Sequence, residues 1–261
     1  MPPLHQDRRR ACSFGSDAEL YDRARPDYPD ALIDDLMAEE PRRVLDVGCG
    51  TGKAARLFLA RGCDVIGVEP DASMASVARR HGVVVEVASF EEWAPGGRSF
   101  ELVASGQAWH WIDPDLGLAK AAAVLEPGRR FAAFGNIGTY DLETRPVLRA
   151  VYERLAPDFL TQGGTAAALG AVSLGGADPG LAALRASGVF ERAEVREYRW
   201  SRVYSAAEWL AQVSTHSNHR VLPADHGSIA RRASACDRRA GRDRHHPLRD
   251  GLDDRAQASW W

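Results

Sequence analysis

Asp46, Gly48, Gly50 and Gly52 stand at alternate positions behind the apolar residues Val44 and Leu45. These residue types suit a ligand held against main chain. Glycine accepts positive φ and carries no Cβ, so backbone and ligand can approach closely. A strand feeding such a turn into a helix N-terminus is a known ligand seat. The spacing is D-x-G-x-G-x-G. A dinucleotide fingerprint, G-x-G-x-x-G, needs its third glycine where this chain has Lys53. Glu69 follows about 20 residues beyond the turn, where a carboxylate can accept two hydrogen bonds at once and hold both hydroxyls of a ribose. A solvated loop carboxylate is the plainer alternative. Two histidines could move protons: His110, flanked by Trp109 and Trp111, and His216, in the run Ser214-Thr215-His216-Ser217-Asn218-His219.

The elements that must position these groups follow a βα rhythm. Apolar, β-branched runs predict strands over Arg43–Val47, Asp64–Val68, Val83–Val87, Glu101–Ser105 and Arg130–Phe134, and Glu194–Trp200 alternates like an edge strand. Helices are predicted over Pro29–Glu39, Lys53–Arg61, Ser73–His81, Leu116–Leu125, Thr144–Leu155 and Pro179–Ser187, the last behind Asp178 as N-cap. Strands alternating with helices imply a doubly wound, mostly parallel α/β sheet, and ligands of such sheets bind at the strands' carboxyl ends. The rhythm breaks between Gly135 and Val189, where Gly163–Gly176 is Gly-rich. An insertion there is expected to cover that end of the sheet as a helical cap.

The D-x-G-x-G-x-G turn behind a hydrophobic strand resembles motif I of the class I S-adenosylmethionine (SAM)-dependent methyltransferases. Gln107-Ala108-Trp109-His110-Trp111 and Ser13-Phe14-Gly15…Tyr21…Arg25-Pro26 are similar to segments of a small-molecule subset of that family, of the methyltransferase type 11/25 kind. The resemblance runs over about residues 13–222 and implies the Rossmann-like class I methyltransferase fold. It implies that Asp46, Gly48, Cys49, Gly50 and Gly52 receive SAM, with Glu69 and Pro70 at the ribose. It places Met74, Ser89 and Phe90 around the adenine, although Met74 and Phe90 fit plain core equally well. The family often carries Asp at the Ser89 position, followed by a backbone N–H directed to the adenine ring. Gln107, Tyr21 and Arg25 are implied at the methionine end. Trp109 and His110 are expected to face the methyl, His110 and His216 are candidate bases, Trp209 joins the cap side, and Trp111 is expected in the core. The implied activity is transfer of a methyl from SAM to an O-, N- or C-nucleophile of a small molecule, a carboxylate or hydroxyl among them. The alternatives are an inactive SAM-binding protein and, less favoured, a nicotinamide-dependent oxidoreductase.

Composition sets outer bounds. The chain has 261 residues and net charge −3, which gives no signal of a nucleic-acid or membrane surface. Cys12, Cys49, Cys63 and Cys236 have neither metal nor disulfide spacing and suit a reducing cytoplasm. A monomer or homodimer is expected, with no metal. Residues 1–12 are expected to be a disordered lead-in, 13–135 the SAM-binding core, 136–188 the helical cap insertion, and 189–224 a return to core sheet and cap. From 225 to 261 the apolar period is lost in an Arg- and Asp-rich run. Lys53 and Lys120 are the only lysines, which suggests GC-rich coding. A GC-rich back-translation shifted by one nucleotide restores an ending like the family's. The expectation is therefore a frameshifted, disordered tail, with the family's final antiparallel strand missing.

Overall fold

The computed structural model describes residues 4–11, 13–140, 143–155, 179–220 and 253–260. Its centre is a seven-stranded sheet: β1 (Arg43–Val47), β2 (Asp64–Glu69), β3 (Val84–Val87), β4 (Phe100–Gly106), β5 (Leu125–Thr139), β6 (Glu194–Arg199) and β7 (Asp253–Trp260). The order is β3-β2-β1-β4-β5-β7-β6. The first five strands run parallel, with Val44 opposite both Val65 and Leu102.

Side-chain alternation along these strands makes two cores, one per face. Val44, Leu102, Ala104, Ala132 and Phe134 lie on one face with the helices Asp30–Leu36, Lys53–Leu59 and Ala72–Arg80. Leu45, Val47, Val103 and Phe131 lie on the other with the helices Pro114–Val124 and Pro179–Ser187. Helix starts are capped as their residue types dictate. The Asp71 carboxylate accepts from Ser73 and Met74 N–H, and that of Asp113 from Asp115 and Leu116 N–H.

Three expectations change. The tail is not without a fold: Asp253–Trp260 pairs antiparallel with β5, from Ala132↔Trp260 to Thr139↔Asp253, and with β6, from Glu194↔Trp260 to Arg199↔Arg255. The final antiparallel strand expected to be missing is present, which removes the structural motive for a frameshift. Ala256, Ala258 and Trp260 recur at every second position, but the small side chains and flanking charges hide that period in the sequence. The remainder of 225–261, like Asp178 and Gly163–Gly176, lies outside the described residues.

The lead-in, expected to be disordered, forms two short helical turns, Leu4–Gln6 and Arg8–Ala11. The cap is also differently composed. β5 runs on to Thr139, and Leu184, at 2% exposure, makes Pro179–Ser187 a core helix rather than part of the cap. Ala206–Ser214 and Ser217–Arg220 supply the covering helices, and Thr144–Leu155 is tied to them by the Tyr152 hydroxyl and His219 Nε2 at 2.8 Å.

Candidate functional site

The carboxyl ends of β1, β2 and β4 open into a cavity of about 690 Å³ whose far side is the helix Ala206–Ser214 and residues His216 and Ser217. The glycine turn forms its floor. Gly48, Gly50 and Gly52 have φ of +67°, +57° and +83°, where a side chain is strained. A Cβ on Gly48 would stand 2.4 Å from that of Ala108, and one on Gly52 3.0 Å from Val83 Cγ2. The turn is thus pinned between the segment after β4 and the end of the helix Ala72–Arg80, whose Ala78 Cβ would lie 3.2 Å from a Gly52 Cβ. Lys53, in place of a third glycine, donates to Asp27 at 2.8 Å.

Two buried carboxyls flank the turn. Asp46, at 1% exposure, accepts from Ala55 N–H at 3.1 Å, while its Oδ1 has no partner among the described residues. Burial pushes it up to about 7, against the Ala55 N–H and with help from the charge of Glu69. Glu69, at 8% exposure, accepts from Gly50 and Asp71 N–H, both at 2.9 Å. Burial likewise pushes it up to about 7, opposed by those two donors. Cys49 is buried behind the turn, its thiol pushed well up by burial, and its sulfur occupies the space over Gly67.

Of the residues expected at SAM, Tyr21, Arg25, Asp46, Gly48, Cys49, Gly50, Glu69, Pro70, Met74, Ser89, Phe90 and Gln107 all line this cavity, and Gly52 starts the helix beneath it. Met74 and Phe90, at 4% and 3% exposure, serve as core as well. Gln107 has φ +59°, uncommon for a residue with a side chain. Its N–H continues the β4–β5 ladder to Phe134 O, and its Nε2 donates to Asn136 O at 2.8 Å across the bare Gly135.

The Trp-His-Trp segment is a short 3₁₀ turn, Trp109–Trp111. His110 and His216 line the cavity, and the two tryptophans are placed the other way round from expectation. Trp109 lies outside the lining and packs against Phe131 at 4.4 Å and over Gly117. Trp111, expected in the core, lines the cavity and meets Phe14 edge-on at 5.8 Å. The bare Gly117 in the following helix makes the seat that receives Trp109, a signal present in the sequence and not used.

Sequence reasoning missed Arg10. Its guanidinium lies 5.8 Å from the Trp111 ring and donates to Ser217 at 3.1 Å, so it bridges sheet and cap. Arg10 Nε, Arg25 Nε, Gln212 Oε1 and His216 Nε2 are buried and without partners among the described residues. Burial, then Arg25 and His219, hold the His216 imidazole well below its ordinary basicity. Trp209 lines the cap side, edge-on to Tyr140. Among the described residues no His, Cys, Asp and Glu group could hold a metal, and no helix is long and apolar enough to cross a membrane.

Residues 44–128 match the model of a methyltransferase domain. An uncharacterized methyltransferase of Mycobacterium tuberculosis is 40% identical over 131 residues, 49% of this chain and 54% of that protein. Trans-aconitate 2-methyltransferase of Mycolicibacterium gilvum is 34% identical over 131 residues, 49% of each. The matches span about half the length of these relatives. In fold, the chain is similar to Haemonchus contortus phosphoethanolamine N-methyltransferase 2, with TM-score 0.52 and 15% identity over 94% of this chain and 56% of that one.

Proposed function

We propose that this chain, whose residues 44–128 match a methyltransferase domain, is a class I SAM-dependent methyltransferase that methylates a small-molecule carboxylate held between the glycine turn and the cap. The residues fit the cofactor on their own chemistry. The turn has no side chains to fill the floor, Asp46 Oδ1 is an unused buried acceptor, and each Glu69 oxygen keeps lone pairs beyond its one N–H bond. SAM, when bound, supplies an electrophilic methyl carried on a sulfonium. Glu69 would take the ribose hydroxyls, with Pro70 beside it. Ser89, Phe90 and Met74 would border the adenine. Asp46, Cys49, the glycines, Gln107, Tyr21 and Arg25 would receive the methionine end. Arg25 suits a carboxylate, since its fork can donate two parallel bonds.

The observation that carries the acceptor class lies across the same cavity. Arg10 Nε and His216 Nε2 are buried there with no partner among the described residues, and unpaired buried polar groups are costly unless a ligand completes them. Arg10 would bind a carboxylate of the acceptor. His216, held neutral, would donate or accept a hydrogen bond. A weakened base is suited to an acceptor that arrives already ionised, because such a nucleophile has no proton to lose. The chain's own contribution is then to align the carboxylate and keep water out, with Trp111, Trp209 and Tyr140 as walls. The trans-aconitate relatives support a polycarboxylate. We place the activity in the cytoplasm, with no nucleic-acid or membrane partner and the chain as monomer or homodimer.

Labelled SAM incubated with a panel of di- and tricarboxylates, trans-aconitate among them, tests the proposal. Base-labile methyl esters should form, and Arg10→Ala should raise the acceptor KM with the SAM KM unchanged. Methylation of amines or alcohols alone would overturn the acceptor class, and absence of S-adenosylhomocysteine binding would overturn the cofactor.

A further inference from the structure

Arg10, Trp111, Phe14, Tyr21 and Arg25 all line the cavity, and they follow one another in an unbroken series. The Arg10 guanidinium lies over the Trp111 ring at 5.8 Å, and Trp111 meets Phe14 edge-on at 5.8 Å. Phe14 in turn meets Tyr21 edge-on at 5.8 Å, and the Arg25 guanidinium lies over the Tyr21 ring at 5.2 Å. The members come from the helical turns Arg8–Ala11 and Phe14–Asp17, the 3₁₀ turn after β4, and the helix Ala18–Ala24 with Arg25 at its end. A cation stands at each end and an apolar ring in the middle. Arg10 donates to Ser217 Oγ at 3.1 Å and Arg25 to Thr215 O at 3.4 Å, and each Nε is buried without a partner among the described residues.

A guanidinium is planar, and its donors lie in that plane. A ring over its face limits the plane, and so limits the directions in which the fork can meet a carboxylate. Trp111 does this for Arg10 and Tyr21 for Arg25. Phe14 meets both of those rings, so it fixes the two forks relative to each other. Phe14 is itself held in place. It packs with Ala18, Met74 and Val77, and the next residue, Gly15, lies so close to the helix Ala72–Arg80 that a Cβ there would overlap the Asp71 carboxylate at its start.

We propose that Phe14 is a positioning residue that couples the two ligands of the site, so that cofactor bound at Arg25 orders the series as far as Arg10 and tightens binding of the acceptor carboxylate. This rests on the function proposed above, with the cofactor at Arg25 and the acceptor at Arg10. Once one ligand has ordered shared side chains, the second has less to order, which gives positive coupling without contact between the ligands. The coupling is reciprocal, since it is one free energy shared by two sites. It also suits the chemistry, because an in-line transfer needs the two substrates aligned with each other and not merely bound.

The test is calorimetry of the binary and ternary complexes, with S-adenosylhomocysteine and whichever of trans-aconitate, tricarballylate and citrate binds tightest. In the wild type, saturating S-adenosylhomocysteine should raise carboxylate affinity by at least about fivefold, and saturating carboxylate should raise S-adenosylhomocysteine affinity by the same factor. F14L keeps an apolar side chain against Ala18, Met74 and Val77 but removes the ring. It should reduce the coupling factor to about twofold or less, whereas F14Y, which keeps a ring, should retain most of it. Should F14L be recovered unfolded, F14M is read in the same way. A merely structural phenylalanine would weaken each binary complex and leave the coupling factor unchanged, and that result would overturn the proposal, as would a wild type without coupling. A wild type that binds no S-adenosylhomocysteine would instead overturn the cofactor assignment, and one that binds it but none of the three carboxylates would overturn the acceptor class.

Discussion

Glu69 and Asp46 give the site a pH dependence whose sign follows from burial. Both carboxyls are pushed up to about 7, above the ordinary range near 4. A carboxyl raised in the folded state lends stability that is fully present below its unfolded value and is lost as pH rises through the folded one. The unliganded chain should therefore lose stability from these two groups between pH 4.5 and about 7. Cofactor binding should run the other way, because ribose hydroxyls donate best to an ionised Glu69. One linked proton with its midpoint at about 7 makes affinity fall about tenfold from pH 8 to pH 6. The rise in melting temperature on adding S-adenosylhomocysteine should then be larger at pH 8 than at pH 6, and Glu69→Gln should bind weakly with most of that difference gone. An equal rise at both pH values would count against Glu69 as the ribose ligand. The glycine turn and Glu69 were legible because their logic is local: a missing Cβ, a positive φ and a carboxylate at a strand end. Arg10 was not, because its partner lies 207 residues away in sequence and no periodicity announces it.

At the scale of elements, the strands were legible to within a residue or two wherever apolar alternation met glycine stops, as at Arg43–Val47 and Asp64–Glu69. The turn after β4 was harder. In a 3₁₀ turn successive side chains point about 120° apart, so Trp109 and Trp111 cannot share a face, and their types alone do not say which one enters the core. The neighbours decide. Gly106 at the end of β4 leaves room for Tyr28, the positive φ of Gln107 redirects the chain, and Gly117 opens the pocket that takes Trp109. The two rings should therefore fail differently when truncated. Trp109→Ala should lower stability by up to about 3–5 kcal/mol, as aromatic truncations in cores do, read as a drop in melting temperature of roughly 2–4 °C per kcal/mol. Trp111→Ala should melt close to the wild type and lose its acceptor KM instead, since the ring borders Arg10 and Phe14 at the cavity. If Trp111→Ala proved the unstable one, with Trp109→Ala impaired only in catalysis, the placement of the two rings would be reversed.

Across the whole molecule, the ends of the chain complete the structure: residues 4–11 bring Arg10 to the cavity, and Asp253–Trp260 fills the gap between β5 and β6. The last strand has β5 on one side and β6 on the other, and β6 is held in turn to the helix Asp30–Leu36 by Arg196 and Tyr198 on Asp35. Ending the chain at residue 252 would strip both ladders and leave β5 as an open edge beside an apolar core, a template for pairing with other chains. A backbone hydrogen bond contributes about 0.5–1.5 kcal/mol net, and total stability is only about 5–15 kcal/mol, so two lost ladders are comparable with the whole. The truncated chain should melt at least about 6–12 °C lower, for a loss of about 3 kcal/mol or more, and should aggregate on heating. The glycine turn lies toward the opposite half of the sheet, on β1 and β2, so S-adenosylhomocysteine should still bind the fraction that remains folded. In the full chain, amides of Arg255–Trp260 should exchange as slowly as those of Glu194–Arg199, because each strand is the other's partner. Unprotected amides over Arg255–Trp260, together with an unchanged melting temperature on truncation, would show that the final strand has no part in the sheet.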